Sequence, residues 1–189
     1  MLNKNFFQQL RETYSRREEE RQEIIKESNR LTHESKRAIF SLHRGNTSET
    51  EERLQGVEKG LGDLQERFDF SRVNEEGSYK AAVEEYVEAK YFYQLLQGES
   101  IGEIQEVRIR FDSYLAGLCD VPGELVRRAT NEAAAGETDK VGEYKEMVEG
   151  IMNELSQFDM TGYLRTKFDQ AQGSVRKIEQ INYEVKIRK

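Results

Sequence analysis

The chain has 189 residues, of which 36 % are hydrophobic and 34 % charged, with net charge −7, one Pro, one Cys and no Trp. That length suits a single domain spanning residues 1–189. The low apolar share suits long helices that each bury one stripe and leaves room for burial between subunits. Two His and the lone Cys119 exclude an internal disulfide and argue against a structural zinc site. No apolar run approaches the roughly 20 residues of a membrane span, and Met1-Leu2-Asn3-Lys4-Asn5-Phe6-Phe7 lacks the apolar stretch of a signal peptide. We therefore expect a soluble, cytoplasmic protein that does not engage membranes.

Glu, Lys, Arg, Leu, Ala and Gln fill long stretches, and these are good helix formers. A first helix is predicted from about Asn3 to His43, with apolar residues from Phe6, Phe7, Leu10 and Tyr14 through Ile24, Leu31, Ile39 and Leu42. Its segment Ser15–Gln22 is nearly all charged and is either exposed or covers a partner. Gly45 closes it, and Thr47 or Ser48 is placed to cap the second helix, about Glu49 to Phe68. Gly56, Gly60 and Gly62 in that second helix either weaken it or admit a close neighbour.

A third helix is predicted from about Asn74 to Leu96, and residues 99–109 read as a short helix or turn. A fourth covers about Phe111 to Ala135, interrupted or kinked near Pro122. A fifth covers about Thr138 to Phe158, and a sixth starts at Thr161-Gly162 and runs to the end. The sixth carries a seam at Leu164, Phe168, Ala171, Val175, Ile178 and Val185, alternating four and three as in a helix packed at a shallow angle. Short connections make this an all-α, single-domain antiparallel bundle of about six or seven helices.

The charge is unevenly spread. Residues 1–46 carry ten Lys/Arg against seven Asp/Glu, residues 162–189 seven against three, and residues 47–161 twelve against twenty-six. Basic ends around an acidic centre are compatible with an anionic polymer on one face and cations on another, and equally with ordinary solvated helix faces.

Two acid pairs stand at helical spacing: Glu85 with Glu88, and Asp120 with Glu124. Residues three or four apart share a helix face, so each pair can converge on one point. Spacing alone proves little, since a chain this acidic holds about seven such pairs at each spacing by chance. Location says more. Glu85 and Glu88 share a face with Ala81, Ala89, Phe92, Leu95 and Leu96, where ionised carboxylates are costly unless paired with a cation or bound to a metal. A buried salt bridge and a metal site both answer that. Asp120 and Glu124 lie on a stripe with Arg127 and Asn131, which reads as a polar face; Ala116, Gly117 and Gly123 nearby would let another helix approach.

Other chemistries have weak support. His33 and His43 have no Ser or Cys partner at useful spacing, and Gly60-Leu61-Gly62 lacks the rest of a phosphate loop. Tyr86, Tyr91, Phe92 and Tyr93 read as core and helix-contact residues rather than base-stacking groups.

At these same residues the chain resembles a known family. Glu85-Tyr86-Val87-Glu88-Ala89 resembles the third-helix motif of the translin-associated factor X (Trax) branch of the translin superfamily. Tyr114-Leu115-Ala116-Gly117, with Asp120, Gly123-Glu124-Leu125, Arg127 and Asn131, resembles that branch's next motif. Glu34-Ser35-Lys36-Arg37, Ile39-Phe40 and Leu42-His43-Arg44 resemble its first helix, and Val175, Lys177, Glu179, Tyr183 and Lys186-Ile187-Arg188 its last. The order and coverage are similar to a compact archaeal-type member, without the extended basic N-terminal segment or the tail of eukaryotic members.

The resemblance implies a translin-like fold of seven helices assembled into a closed, octamer-like homo-oligomeric cage, with a separate translin-type partner an open question. It implies a Mg²⁺- or Mn²⁺-dependent endoribonuclease acting on single-stranded RNA, with Glu85, Glu88, Asp120 and Glu124 as metal ligands and catalytic residues. Lys36, Arg37, Arg44, Arg127 and Asn131 are then the candidate RNA contacts. The rival reading is a translin-like protein that binds single-stranded RNA or DNA without cutting it.

Overall fold

The computed structural model describes residues 2–187; Arg188, part of the C-terminal resemblance, lies outside them. Seven helices and no strand are found among these residues: α1 (Lys4–His43), α2 (Thr47–Phe68), α3 (Phe70–Val73), α4 (Gly77–Leu96), α5 (Phe111–Ala134), α6 (Val141–Leu155) and α7 (Gly162–Ile187). None is long and apolar enough to cross a membrane.

The departures from the sequence reading have local causes. Asn46, not Thr47 or Ser48, caps α2: its side chain accepts from the Glu49 amide and donates back to the Glu49 carboxylate at 2.9 Å, a reciprocal cap. Residues 97–110 form no helix. Instead, Ile104 and Val107 dock into the core. Tyr91 donates its hydroxyl to Gly102 O, and the Tyr114 hydroxyl accepts from the Ile104 amide, so these two backbone groups are satisfied without helical pairing. The third predicted helix begins later, at Gly77, behind the separate turn of α3. The helix α5 is not interrupted: it runs through the buried Pro122.

Contacts along α1 set the topology. Gly60 and Arg53 of α2 meet Leu31 and Glu34 of α1, so these two helices are antiparallel. Lys36 meets Glu85, and His43 meets Phe92, so α1 and α4 run parallel. The helix α4 packs on α5, and α5 packs on α6 and α7. The core is drawn from all of these, with Leu31, Tyr86, Phe92, Leu125, Leu155 and Ile178 fully buried. The α7 seam packs inward at Phe168, Ala171 and Ile178, flanked by Leu164 and Val175.

Gly117 decides how close α5 comes to α4. A Cβ there would lie 2.6 Å from Glu84 O and 2.7 Å from Val87 Cβ, so only a glycine allows this approach. Of the glycines in α2, Gly60 is packed against Leu31, while Gly56 and Gly62 face open space. At the other extreme, α1 buries nothing before Ile24. Its first turns project with Phe6, Leu10 and Tyr14 at 54 %, 52 % and 69 % exposure.

Candidate metal and nucleic-acid site

Three consecutive turns of α1 face the acid pairs. Lys36 Nζ lies 3.6 Å from Glu85 Oε2 on α4. The Phe40 ring lies under the Arg127 guanidinium, 5.0 Å from centroid to carbon. His43 Nε2 lies 2.5 Å from Glu124 Oε2 on α5. The spacing of three and four residues puts these side chains on one stripe of α1. The end of that stripe is held by Arg128, which donates to the carbonyls of Leu42 and His43 at 2.8 and 3.3 Å.

The close α4–α5 packing sets the two acid pairs against each other. Glu88 is 9 % exposed and makes no hydrogen bond or ion pair among the described residues. Its carboxyl is pushed up to about 9 by burial, then by the neighbouring charges of Asp120, Glu85 and Glu124. Glu85 is also raised by burial, against the lowering pull of Lys36, with Asp120 raising it further. All four acids therefore share one electrostatic environment.

A lysine from α7 closes the site. Lys167 contacts Asp120 and lies 3.6 Å from Glu84, while Tyr163 donates to Glu84 at 2.7 Å. Burial works to lower the Lys167 ammonium, but the Asp120 contact outweighs it and the net direction is up. Its charge offsets part of the acidic repulsion.

Four carboxylates are hard oxygen donors suited to Mg²⁺ or Mn²⁺. The mutual repulsion that raises Glu88 is what a divalent cation relieves. As the side chains stand, no three His, Cys, Asp or Glu among the described residues are arranged to hold a metal ion; Lys36, His43 and Lys167 engage Glu85, Glu124 and Asp120 instead. The donor chemistry fits such a cation, and the lysines stand as internal counter-charges to the carboxylates.

The candidate RNA contacts divide. Arg127 pairs with Glu124 at 3.5 Å, and Lys36 with Glu85, so both border the acids. Arg44 and Asn131 line one cleft with His43 and Arg128 at the end of α1. Arg37 pairs with Glu34 on the outer surface, away from the acids. The sequence reading missed His43 and Lys167. His43 stood inside a quoted motif, but nothing in the linear chain pairs it with an acid 81 positions away, and Lys167 sat one place before a seam residue. The aromatics Tyr86, Tyr91 and Phe92 are core, as read. Ala81, expected on the apolar face of α4, is exposed.

The chain matches the Translin family over residues 19–189. It is 24 % identical to translin-associated protein X of Rattus norvegicus over 227 residues, covering 96 % of this chain and 78 % of that protein. The solved structure of AfC3PO superposes with a TM-score of 0.88 at 23 % identity, covering 97 % of this chain and 98 % of that one. A structure of AfC3PO with duplex RNA superposes with a TM-score of 0.84 at 24 % identity, covering 97 % of each.

Proposed function

The chain belongs to the translin family, and from that membership and the acid cluster we propose that it is a divalent-metal-dependent endoribonuclease that cleaves single-stranded RNA within a homo-oligomer. The observation that carries the reading is the packing of α4 on α5, which buries Glu88 and turns Asp120, Glu85 and Glu124 toward it, so that it is held far above an ordinary carboxylic acid. Strongly perturbed carboxyls in a cluster are typical of functional sites. A similar protein, AfC3PO, is known in complex with duplex RNA, which supports a nucleic-acid ligand.

In this reading Glu85, Glu88, Asp120 and Glu124 hold one or two Mg²⁺ or Mn²⁺ ions. Such a cation, when bound, acidifies water and neutralises charge on the scissile phosphate. The chain's own groups do the rest. Lys36 and Arg127 at the cluster, with Arg44 and Asn131 in the cleft beside His43, bind the sugar-phosphate backbone. His43 orients Glu124, and Lys167 is displaced from Asp120 toward a phosphate oxygen. The exposed stripe Phe6, Leu10 and Tyr14 on α1 is apolar surface suited to cover by another subunit, in line with an assembly such as an octamer-like cage.

Incubation of the purified protein with labelled single-stranded RNA in Mg²⁺, Mn²⁺ or EDTA tests the proposal. Cleavage only with a divalent ion, and its loss in Glu88→Gln and Asp120→Asn, is expected. Cleavage that persists in either variant or in EDTA would overturn the assigned site.

A second reading, nucleic-acid binding without cleavage, draws on the lysines and His43 that already engage three of the four acids. Tight binding of RNA with no cleavage in either metal would favour it.

A further inference from the structure

We propose that Phe40 and Arg127 form a nucleobase-stacking platform beside the carboxylate cluster, taking an unpaired base of single-stranded RNA. The inference rests on the reading of this chain as an RNA-binding protein and adds a subsite for the base.

Phe40 is out of place as a structural residue. It sits in the packed half of α1, where Ala38, Ile39, Ser41 and Leu42 are all buried, yet it remains 46 % exposed. Among the described residues its one aromatic or cation contact is with a cation: the Arg127 guanidinium lies 5.0 Å from its centroid. Even with Arg127 in place the ring stays open to solvent. An aromatic ring joined to a planar guanidinium offers two π surfaces to a flat heterocycle, and such stacking accepts any base.

The platform is tied to the acids. Arg127 reaches Glu124 Oε2 at 3.5 Å, the same oxygen that His43 Nε2 meets at 2.5 Å. Phe40 is three residues from His43, about 4.5 Å along the helix axis. A base seated on Phe40 thus lies within one nucleotide of a phosphate at the cluster. Along the same helix Lys36 and Arg44, paired with Glu85 and Glu49, keep side-chain exposures of 51 % and 63 %, a cationic border still open to phosphates on either side. That charge favours a nucleic acid over a second protein chain as the occupant.

The test uses the full-length protein in EDTA, so that binding is read without cleavage. The probes are a short single-stranded RNA with 2-aminopurine at one central position and its twin with an abasic site there. Native protein should quench the 2-aminopurine fluorescence on binding. Phe40→Leu should lose that quench and bind the base-containing probe roughly tenfold more weakly, while the abasic twin binds both proteins equally. Arg127→Lys keeps the charge and loses the planar surface, so it should show a smaller loss in the same direction, which covers the case of Phe40→Leu failing to fold. Unchanged binding and quenching in both variants would overturn the platform, as would an equal loss on the abasic twin. A changed oligomeric state of Phe40→Leu by light scattering would assign the ring to a subunit contact and overturn it too. Quenching by native protein that never cleaves when Mg²⁺ or Mn²⁺ is added supports the platform and removes the nuclease reading. Cleavage by native protein that binds the base-containing and abasic probes equally, without quenching, does the reverse.

Discussion

His43 Nε2 lies 2.5 Å from Glu124 Oε2, joining the last turn of α1 to the middle of α5 across 81 positions of sequence. The His43 side chain is 6 % exposed, its Nδ1 has no hydrogen-bond partner among the described residues, and its ring tilts against Phe92 at 5.1 Å. A buried ring held on one side by packing and on the other by a carboxylate has one orientation, and so does the carboxylate. Groups of this kind tune a metal site without touching the metal.

Replacing His43 with Ala therefore frees Glu124. Mn²⁺ affinity and the cleavage rate should each fall about 10- to 100-fold, with partial recovery in His43→Gln, which restores a donor. Calorimetric titration of Mn²⁺ reads the first effect without any turnover. Equal affinity in native and His43→Ala protein would remove the positioning role.

Glu88→Gln preserves shape and removes the charge. Cleavage should drop by more than about 100-fold, since a ligand is worth more than its supporting groups. The metal-free protein should melt higher than native at neutral pH, because burial and the neighbouring acids force Glu88 to take up a proton on folding, and a glutamine has no such cost. Thermal denaturation in EDTA checks this; a lower melting temperature would mean that Glu88 holds the fold together.

The same carboxyl makes metal-free stability depend on pH. Folded Glu88 keeps its proton up to about 9, against 4.5 when unperturbed. Between those values the folded state holds more protons than the unfolded one, so stability falls as pH rises through the window. Denaturant titrations from pH 5 to pH 9 in EDTA should show that fall, and it should be much smaller in Glu88→Gln, where only the raised Glu85 remains. Saturating Mg²⁺ should flatten the native profile.

Gly117 and Gly123 sit six residues apart on α5 and should respond in opposite directions. Gly117→Ala drives a methyl group to 2.6 Å from the Glu84 carbonyl and 2.7 Å from Val87, which should cost about 1–3 kcal/mol and part α5 from α4. Gly123→Ala meets nothing within 4 Å and should stabilise the helix by up to about 1 kcal/mol. Urea unfolding measures both, and Mn²⁺ affinity should fall only in the first.

Leu10→Glu places a charge in the exposed stripe of α1, where the residue has no contact with the core. Light scattering should show a smaller assembly with unchanged helical content by circular dichroism. An unchanged mass would free this stripe from a role in assembly.

The helices were legible in the chain because their signals are local. Apolar residues at three and four and glycines after the last turn place α1, α2, α5 and the start of α7 within a few residues of their observed bounds, whereas the proline marked no break. The apolar face of α4 likewise exposed Glu85 and Glu88 as misfits, and the burial of Glu88 agrees with that reading. The cap at Asn46 and the irregular segment 97–110 were not legible, since each depends on which side chain reaches a backbone group first.

What the sequence determined by itself was helix placement and the two acid pairs, because a helix converts spacing of three or four into one face. What only the tertiary structure decided was that the pairs come together across α4 and α5. That step needs Gly117 to let α5 settle on α4. It also needs the parallel run of α1 beside α4, which carries Lys36 to Glu85 and His43 to Glu124, and the return of α7 to bring Lys167 to Asp120. These partners lie 47 to 81 positions apart in the chain. Periodicity says nothing at that range; the packing of whole helices settles it.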